Sequence, residues 1–250
     1  MAFSEDRYLG GRIIARQPIE GFRSGTDAVM LAAAVQAKVG EELFEMGSGV
    51  GVASLCVAAR VADCHITGTE IAPALVTLAS ENARANKLEE RVRFEVADVF
   101  QLPARLRREF DHVFCNPPFH HGAGEMSSNE DRARALSDRA GLGNWMKAAF
   151  ARVKSDGTLT VILRADRLAE AIQAMPQHGV AVFPLWARVG EVAKRVILQF
   201  WKNSRAPLVL YPGLVLHGSD GRYTPEADAV LRDAASLILP SCSTMTRVRG

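Results

Sequence analysis

The stretch Asn116-Pro117-Pro118-Phe119 holds the residue types that activate a planar amine. An amine conjugated to a ring or carbonyl is a poor nucleophile because its lone pair is delocalised. It needs no strong base, only acceptors aimed at its N–H bonds, so that the nitrogen pyramidalises and its lone pair points outward. The side-chain oxygen of Asn116 and the carbonyl of Pro117 are the candidate acceptors. The two prolines stiffen the turn, so these acceptors are in place before reaction, where positioning lowers a barrier. Phe119 offers a face for stacking on a base. The plain alternative is a turn that only ends a strand.

Three further stretches have residues suited to an adenosine-like ligand. Glu45-Met46-Gly47-Ser48-Gly49-Val50-Gly51 reads as a strand-to-helix turn, whose glycines let the backbone approach a ligand beside a helix N-terminus. Nicotinamide and flavin cofactors use such turns too. Glu70, with Ile71 after it, lies nineteen residues past Gly51, where a carboxylate accepts from both hydroxyls of a ribose. Asp98, followed by Val99 and Phe100, is placed to accept from an adenine amine, with Val99 or Phe100 against the ring. A loop-capping aspartate is the ordinary reading of that position.

Short β-rich runs alternating with helices must position these residues, and that pattern predicts a parallel sheet built from βαβ units. Strands are expected at Glu41 to Met46, His65 to Glu70, Val92 to Val96, Asp111 to Cys115 and Gly157 to Leu163. Helices are expected at Val50 to Val61, Pro73 to Asn86, Leu142 to Lys154 and Leu168 to Gln177. All four chemical stretches then fall at strand ends on one edge of the sheet, the edge where open α/β sheets bind ligands. The last two strands, Phe183 to Arg188 and Val192 to Trp201, are joined by Val189–Gly190–Glu191, too short for a parallel crossover. One reversed strand beside parallel ones separates methyltransferase sheets from dinucleotide-binding ones. Ahead of the sheet, Gly11 to Arg23 reads as a basic loop, and a helix starts near Thr26 or Asp27, either of which would cap it. After it, Pro207 to Tyr223 reads as an irregular strand pair, Pro225 to Ser236 as a short helix, and Ser241 to Gly250 as a frayed tail. The expected division is an N-terminal extension over 1–40 near the cofactor site, a core over 41–205 and a C-terminal addition over 206–250, in one compact domain.

Composition bounds the possibilities. At 250 residues, 48% apolar, the chain buries one sizeable core. The opening MAFSEDRYLGG has no apolar h-region, and the longest apolar run, near Ala28 to Val35, is too short to span a bilayer. Four cysteines without metal-like spacing predict a reduced, cytoplasmic protein. Net charge is only +2, but residues 41–100 hold five Lys/Arg against ten Asp/Glu, whereas residues 151–210 hold nine against four. Such polarity suits a chain that offers one basic surface to a polyanion, through Arg188, Lys194, Arg195, Lys202 and Arg205. His120-His121-Gly122, running to Gly141 with Arg132, Arg134 and Arg139, reads as a mobile lid that orders on RNA. The histidine pair has no partner ligands at metal spacing, so no metal is expected.

With these residues in view, the chain resembles the bacterial tRNA(Val) N6-adenine methyltransferase family over roughly residues 8 to 235. The likeness includes Leu9-Gly10-Gly11-Arg12, Gly21 to Val29, the glycine turn, Glu70, Asp98 and Asn116 to Phe119. It continues through Ala193-Lys194-Arg195-Val196, Leu214-Val215-Leu216-His217 and Tyr223-Thr224-Pro225. The resemblance implies a class I methyltransferase fold, Rossmann-like, with a seven-stranded, mostly parallel α/β sheet, one antiparallel strand and helices on both faces. It implies S-adenosyl-L-methionine as cofactor, held by Glu45, Gly47, Ser48, Gly49, Glu70, Ile71, Asp98, Val99 and Asn116, with Thr26 and Asp27 closing the pocket. Catalysis falls to Asn116, Pro117 and Phe119. Where many members of the fold have aspartate, Glu45 keeps the charge and adds a methylene. The implied reaction is methylation of a planar exocyclic amine, adenine N6 in tRNA, by a monomer or homodimer. Asn-Pro-Pro-Phe is shared with protein-glutamine and guanine-N2 methyltransferases, so these remain alternatives, as does an RNA-binding module on the same scaffold. Only about forty residues precede Glu41, fewer than the helical domain of glutamine enzymes.

Overall fold

The computed structural model describes residues 2–21, 23–118, 141–237 and 239. A hairpin of β1 (Phe3–Tyr8) and β2 (Ile13–Pro18) comes first, then helix α1 (Thr26–Ala34). The alternating part runs β3 (Glu42–Met46), α2 (Val52–Arg60), β4 (His65–Glu70), α3 (Pro73–Ala85), β5 (Val92–Val96) and β6 (Phe110–Cys115). It continues with α4 (Gly141–Phe150), β7 (Val153–Arg164), α5 (Leu168–Gln173), β8 (Val180–Trp186) and β9 (Arg195–Trp201). Two short strands, β10 (Val209–Leu210) and β11 (Leu214–Val215), precede α6 (Pro225–Asp233).

The sheet order is β10-β8-β9-β7-β6-β3-β4-β5, with β11 also on β8. Strands β3 to β7 are mutually parallel, and β9 is antiparallel to both β7 and β8. The expected class I sheet, mostly parallel with one reversed strand, is therefore present as β3 to β9. Two strands extend it at the β8 edge. Within Pro207 to Tyr223 the strands β10 and β11 do not pair with each other as expected but each run parallel to β8, and the segment's antiparallel pairing is the His217–Tyr223 bridge. Pro212 lacks an amide proton, and the Gly213 Cβ position is filled by the Pro184 carbonyl, so the segment bends off β8 between its two pieces.

Alternation along each strand feeds two cores. Leu43, Ile66, Phe114 and Ile197 face α1, α2 and α3, while Phe44, Val113, Leu159 and Leu198 face α4 and α5. Helix α2 is apolar almost all round, with Val52 to Ala58 buried, as its sequence requires. Each fully buried Val or Leu contributes about 1.5–3 kcal/mol.

The N-terminal region differs from expectation. The supposed basic loop contains strand β2, whose inward positions are Ile13, Ala15 and the polar Gln17. Gln17 is buried because its amide donates to Asp6 and accepts from the Ser24 amide at 2.8 Å. The outer edge of β2 is covered by two asparagines four residues apart, one in the last turn of α3 and one at its C-cap. Asn82 and Asn86 each accept from a β2 amide (Arg16 and Ile14, both 2.9 Å) and donate to the same residue's carbonyl. Neither Thr26 nor Asp27 caps α1; its N-cap is Gly25, with no side-chain bond.

Candidate active site

Strand β3 has β4 on one side and β6 on the other, so the chain order reverses there, the point beyond the carboxyl ends where open α/β sheets form a ligand crevice. The glycine turn fills its floor. The Gly47 and Ser48 amides both donate to the Thr69 carbonyl, at 2.8 and 2.9 Å, which ties the turn to the end of β4. Gly47, Gly49 and Gly51 all have positive φ, at 73°, 54° and 85°. A side chain on Gly47 would meet the Trp145 ring, whereas the space beyond Gly49 is open. Gly49 therefore faces the crevice and Gly47 backs onto α4.

Glu70 spans the same crevice. One carboxylate oxygen accepts from the Gly49 amide at 3.1 Å and the other from Ala72, at the start of α3, also at 3.1 Å. Each oxygen keeps a lone pair for a further donor. Ile71 is half-buried beside it. Glu45 is not turned toward the crevice by its hydrogen bonds: its Oε2 accepts from the Ser54 amide at 3.2 Å and from the Ser54 hydroxyl, inside α2. Burial pushes the Glu45 carboxyl up to about 8, against the lowering effect of Ser54.

Asp98 makes a local turn, accepting from the Phe100 amide at 2.9 Å. Its loop-capping role is thus present. Val99 is buried in the α4-side core, and Phe100 stays exposed with its ring edge-on to Trp145, centroids 5.8 Å apart. Of that pair, Phe100 is the ring near the surface.

Asn116 follows β6 directly. Its Oδ1 is buried and has no hydrogen-bond partner among the described residues, and the same holds for Ser48 Oγ. Leaving such an acceptor unpaired costs about 1–3 kcal/mol, which a donor from a bound molecule offsets. Pro117 is buried beside it, and Phe119 lies outside the described residues, as do His120 and the expected lid up to 140. The neighbouring Cys115 thiol is pushed up to about 12 by burial, so it offers no thiolate nucleophile.

Thr26 and Asp27 lie further along the sheet edge. With Met30, Leu185 and Arg195 they line a small cavity beyond the ends of β8 and β9, and Asp27 pairs with Arg195 at 2.7 Å. The basic set is also divided. Arg188, Lys194 and Arg195 sit at this edge, but Lys202 lies at the opposite one, bonded to Glu109 at 2.9 Å, because β9 runs antiparallel.

Two contributors were not singled out in the sequence. Ser54 carried a signal, as the one polar side chain ahead of the terminal Arg60 in an apolar helix. Trp145 gave none beyond its place on an apolar helix face, since its contact with Gly47 comes from tertiary packing.

Among the described residues no three His, Cys, Asp or Glu cluster as metal ligands, and no helix is long and apolar enough to cross a membrane. The residues present fit an adenosyl sulfonium cofactor: an open Gly49, the Glu70 carboxylate at the end of β4 and, among the described residues, an acceptor without a donor at Asn116.

Comparison with known proteins agrees with this geometry. The family model for the methyltransferase small domain matches residues 23–175. The chain is 25% identical over 201 residues to a tRNA1(Val) (adenine(37)-N6)-methyltransferase of Haemophilus influenzae, covering 80% of this chain and 85% of that one. It is 27% identical over 217 residues to a protein of that name from Mannheimia succiniciproducens, covering 84% and 86%. A solved structure from Agrobacterium tumefaciens, described as a predicted O-methyltransferase, superposes with a TM-score of 0.71 at 25% identity, covering 84% of this chain and 98% of that chain. Match, sheet order and crevice lead to one conclusion: the chain belongs to the methyltransferase small domain family and is an S-adenosylmethionine-dependent methyltransferase.

Proposed function

We propose that this enzyme methylates a planar exocyclic amine, and that its substrate is adenine N6 in tRNA. The observation that carries the amine reading is the buried Oδ1 of Asn116, without a partner among the described residues, on a turn stiffened by two prolines. The adenine and tRNA reading is supported by the relatives named above, which span 80–84% of this chain.

Bound in the crevice, S-adenosylmethionine supplies a methyl carbon activated by its sulfonium charge. Glu70 holds the ribose hydroxyls, while the Gly49 amide fixes the Glu70 carboxylate. Asp98 accepts from the cofactor's adenine amine, with Phe100 near that ring. Asn116 Oδ1 and the Pro117 carbonyl accept the two N–H bonds of the target amine. These bonds draw the nitrogen out of conjugation and turn its lone pair toward the methyl carbon. The bound cofactor would supply the methyl group to that lone pair and keep the electron pair of the broken C–S bond on its sulfur. Neither Asn116 nor Pro117 is basic enough to keep the released proton, which passes to water. Phe119 stacks on the target base. A base in a tRNA loop is already unpaired, so moving it into the pocket costs less than from a duplex. The free, buried thiols of Cys56, Cys64 and Cys115 suit a reducing, cytoplasmic setting.

The test is incubation with unmodified tRNA and labelled cofactor, followed by nucleoside digestion and mass spectrometry. N6-methyladenosine is the expected product. Methylated guanine, or methyl transfer only to glutamine in a protein, would overturn the adenine reading.

A further inference from the structure

The ring pair His217 and Tyr223 has no part in the chemistry above. The two rings stack with centroids 4.8 Å apart and planes 22° from parallel. They are held by a tight hairpin. Gly218 and Thr224 amides donate to the Arg222 and Leu216 carbonyls at 2.9 Å each, and Thr224 Oγ1 donates to Val215 at 2.7 Å. Thr224 also caps α6 by accepting from Ala227. The pair is thus built rigidly, yet Tyr223 remains 38% exposed.

The rings also separate two cavities. One, of about 700 Å³, extends over Arg222, Pro225, Asp228 and Arg232; the other, of about 130 Å³, is the one lined by Thr26, Asp27 and Lys194. Cations outnumber acids along the two cavities, four (Lys194, Arg195, Arg222, Arg232) against two (Asp27, Asp228). Asp27 and Asp228 are each paired, with Arg195 and Arg232, whereas Lys194 makes no ion pair among the described residues. The His217 amide bonds to the Ala187 carbonyl, past the end of β8, so the platform stands on the same sheet edge as Asn116. Four strand spacings separate the platform's strand β11 from β6, about 19 Å at ~4.8 Å each. That offset suits a nucleotide flanking the target rather than the target itself.

We propose that the His217–Tyr223 pair is a stacking platform for an unpaired RNA base flanking the methylated nucleotide, with Lys194 and Arg222 on its phosphates. Aromatic faces rimmed by cations are the means by which single-stranded nucleic acid is held without reading sequence. The inference rests on the RNA substrate proposed above.

The experiment measures tRNA affinity, KM for tRNA and cofactor Kd for the parent, Tyr223→Ala, Tyr223→Phe and Arg222→Glu. Tyr223→Ala should weaken tRNA binding about tenfold, as expected for loss of one base–aromatic stack, and raise KM for tRNA with cofactor Kd unchanged. Tyr223→Phe keeps the face and should bind like the parent. Arg222, whose side chain is 88% exposed, can be reversed without touching the core. Arg222→Glu should weaken binding and flatten its salt dependence by about one phosphate contact. If the parent methylates tRNA but Tyr223→Ala and Arg222→Glu match its KM and affinity, the platform is wrong and the RNA reading stands. If the parent neither binds nor methylates RNA, both are overturned.

Discussion

The Glu70 carboxylate accepts the Gly49 amide at 3.1 Å, joining the end of β4 to the one glycine of the turn that opens onto the crevice. The proposed ribose acceptor thereby also fixes the geometry of the turn. Glu70→Ala should weaken cofactor binding by about 10- to 100-fold, since hydrogen bonds to a charged group are worth about 1.5–3 kcal/mol each. Glu70→Gln, which keeps one acceptor oxygen, should fall between. Calorimetric titration with S-adenosylmethionine tests the ordering, and an unchanged Kd in Glu70→Ala would remove Glu70 from the cofactor site.

Glu45 gives a pH signature. Burial raises its carboxyl from an ordinary 4.5 to about 8. The folded value lies above the unfolded one, so this proton stabilises the fold fully below pH 4.5 and progressively less as pH rises toward 8. Glu45→Gln removes the titrating group and leaves an acceptor for Ser54. Urea unfolding from pH 5 to 9 should show the parent losing stability relative to the variant across that window. Parallel curves would mean that Glu45 is ionised in the fold.

Packing behind the turn makes a separate prediction. A Cβ on Gly68 would lie 2.5 Å from Phe94 Cδ1 and 3.0 Å from Ser48 Cβ. Gly68→Ala should cost about 1–3 kcal/mol by overpacking and weaken cofactor binding by shifting Ser48. Adding Phe94→Leu should recover part of both losses in denaturant and binding measurements. No recovery would place the strain elsewhere.

Trp145 stands against Gly47, 3.2 Å from where a Cβ would sit. Its emission should change when cofactor fills the crevice, and Trp145→Phe should abolish that change while retaining binding. Titration followed by fluorescence decides this. A full signal from the variant would assign it to another tryptophan.

The sequence made the parallel core legible because its signals are local: glycines at a strand end, apolar helices, and a link too short for a crossover. Glu70 and Asn116 stood out for the same reason, Glu70 ending a strand and Asn116 directly following one. Strand β2 was hidden because one inward position is Gln17, buried only through partners on Asp6 and Ser24. Hydrophobic periodicity has no term for a polar residue satisfied by tertiary contacts. The pairing of β10 and β11 with β8 was hidden likewise, since two-residue strands show no period. The direction of the Glu45 side chain was also illegible, as the residue fits a ligand role and a buried bond to Ser54 equally well in sequence.

In the proposed reaction Asn116 acts on the amine and not on the cofactor. Single-turnover methyl transfer to tRNA by Asn116→Ala, at saturating cofactor and RNA, tests it most directly. Loss of a preorganised polar partner should slow the step by about 10²–10³-fold, with cofactor Kd changed by less than about threefold. A variant that transfers methyl within severalfold of the parent rate would contradict the assignment.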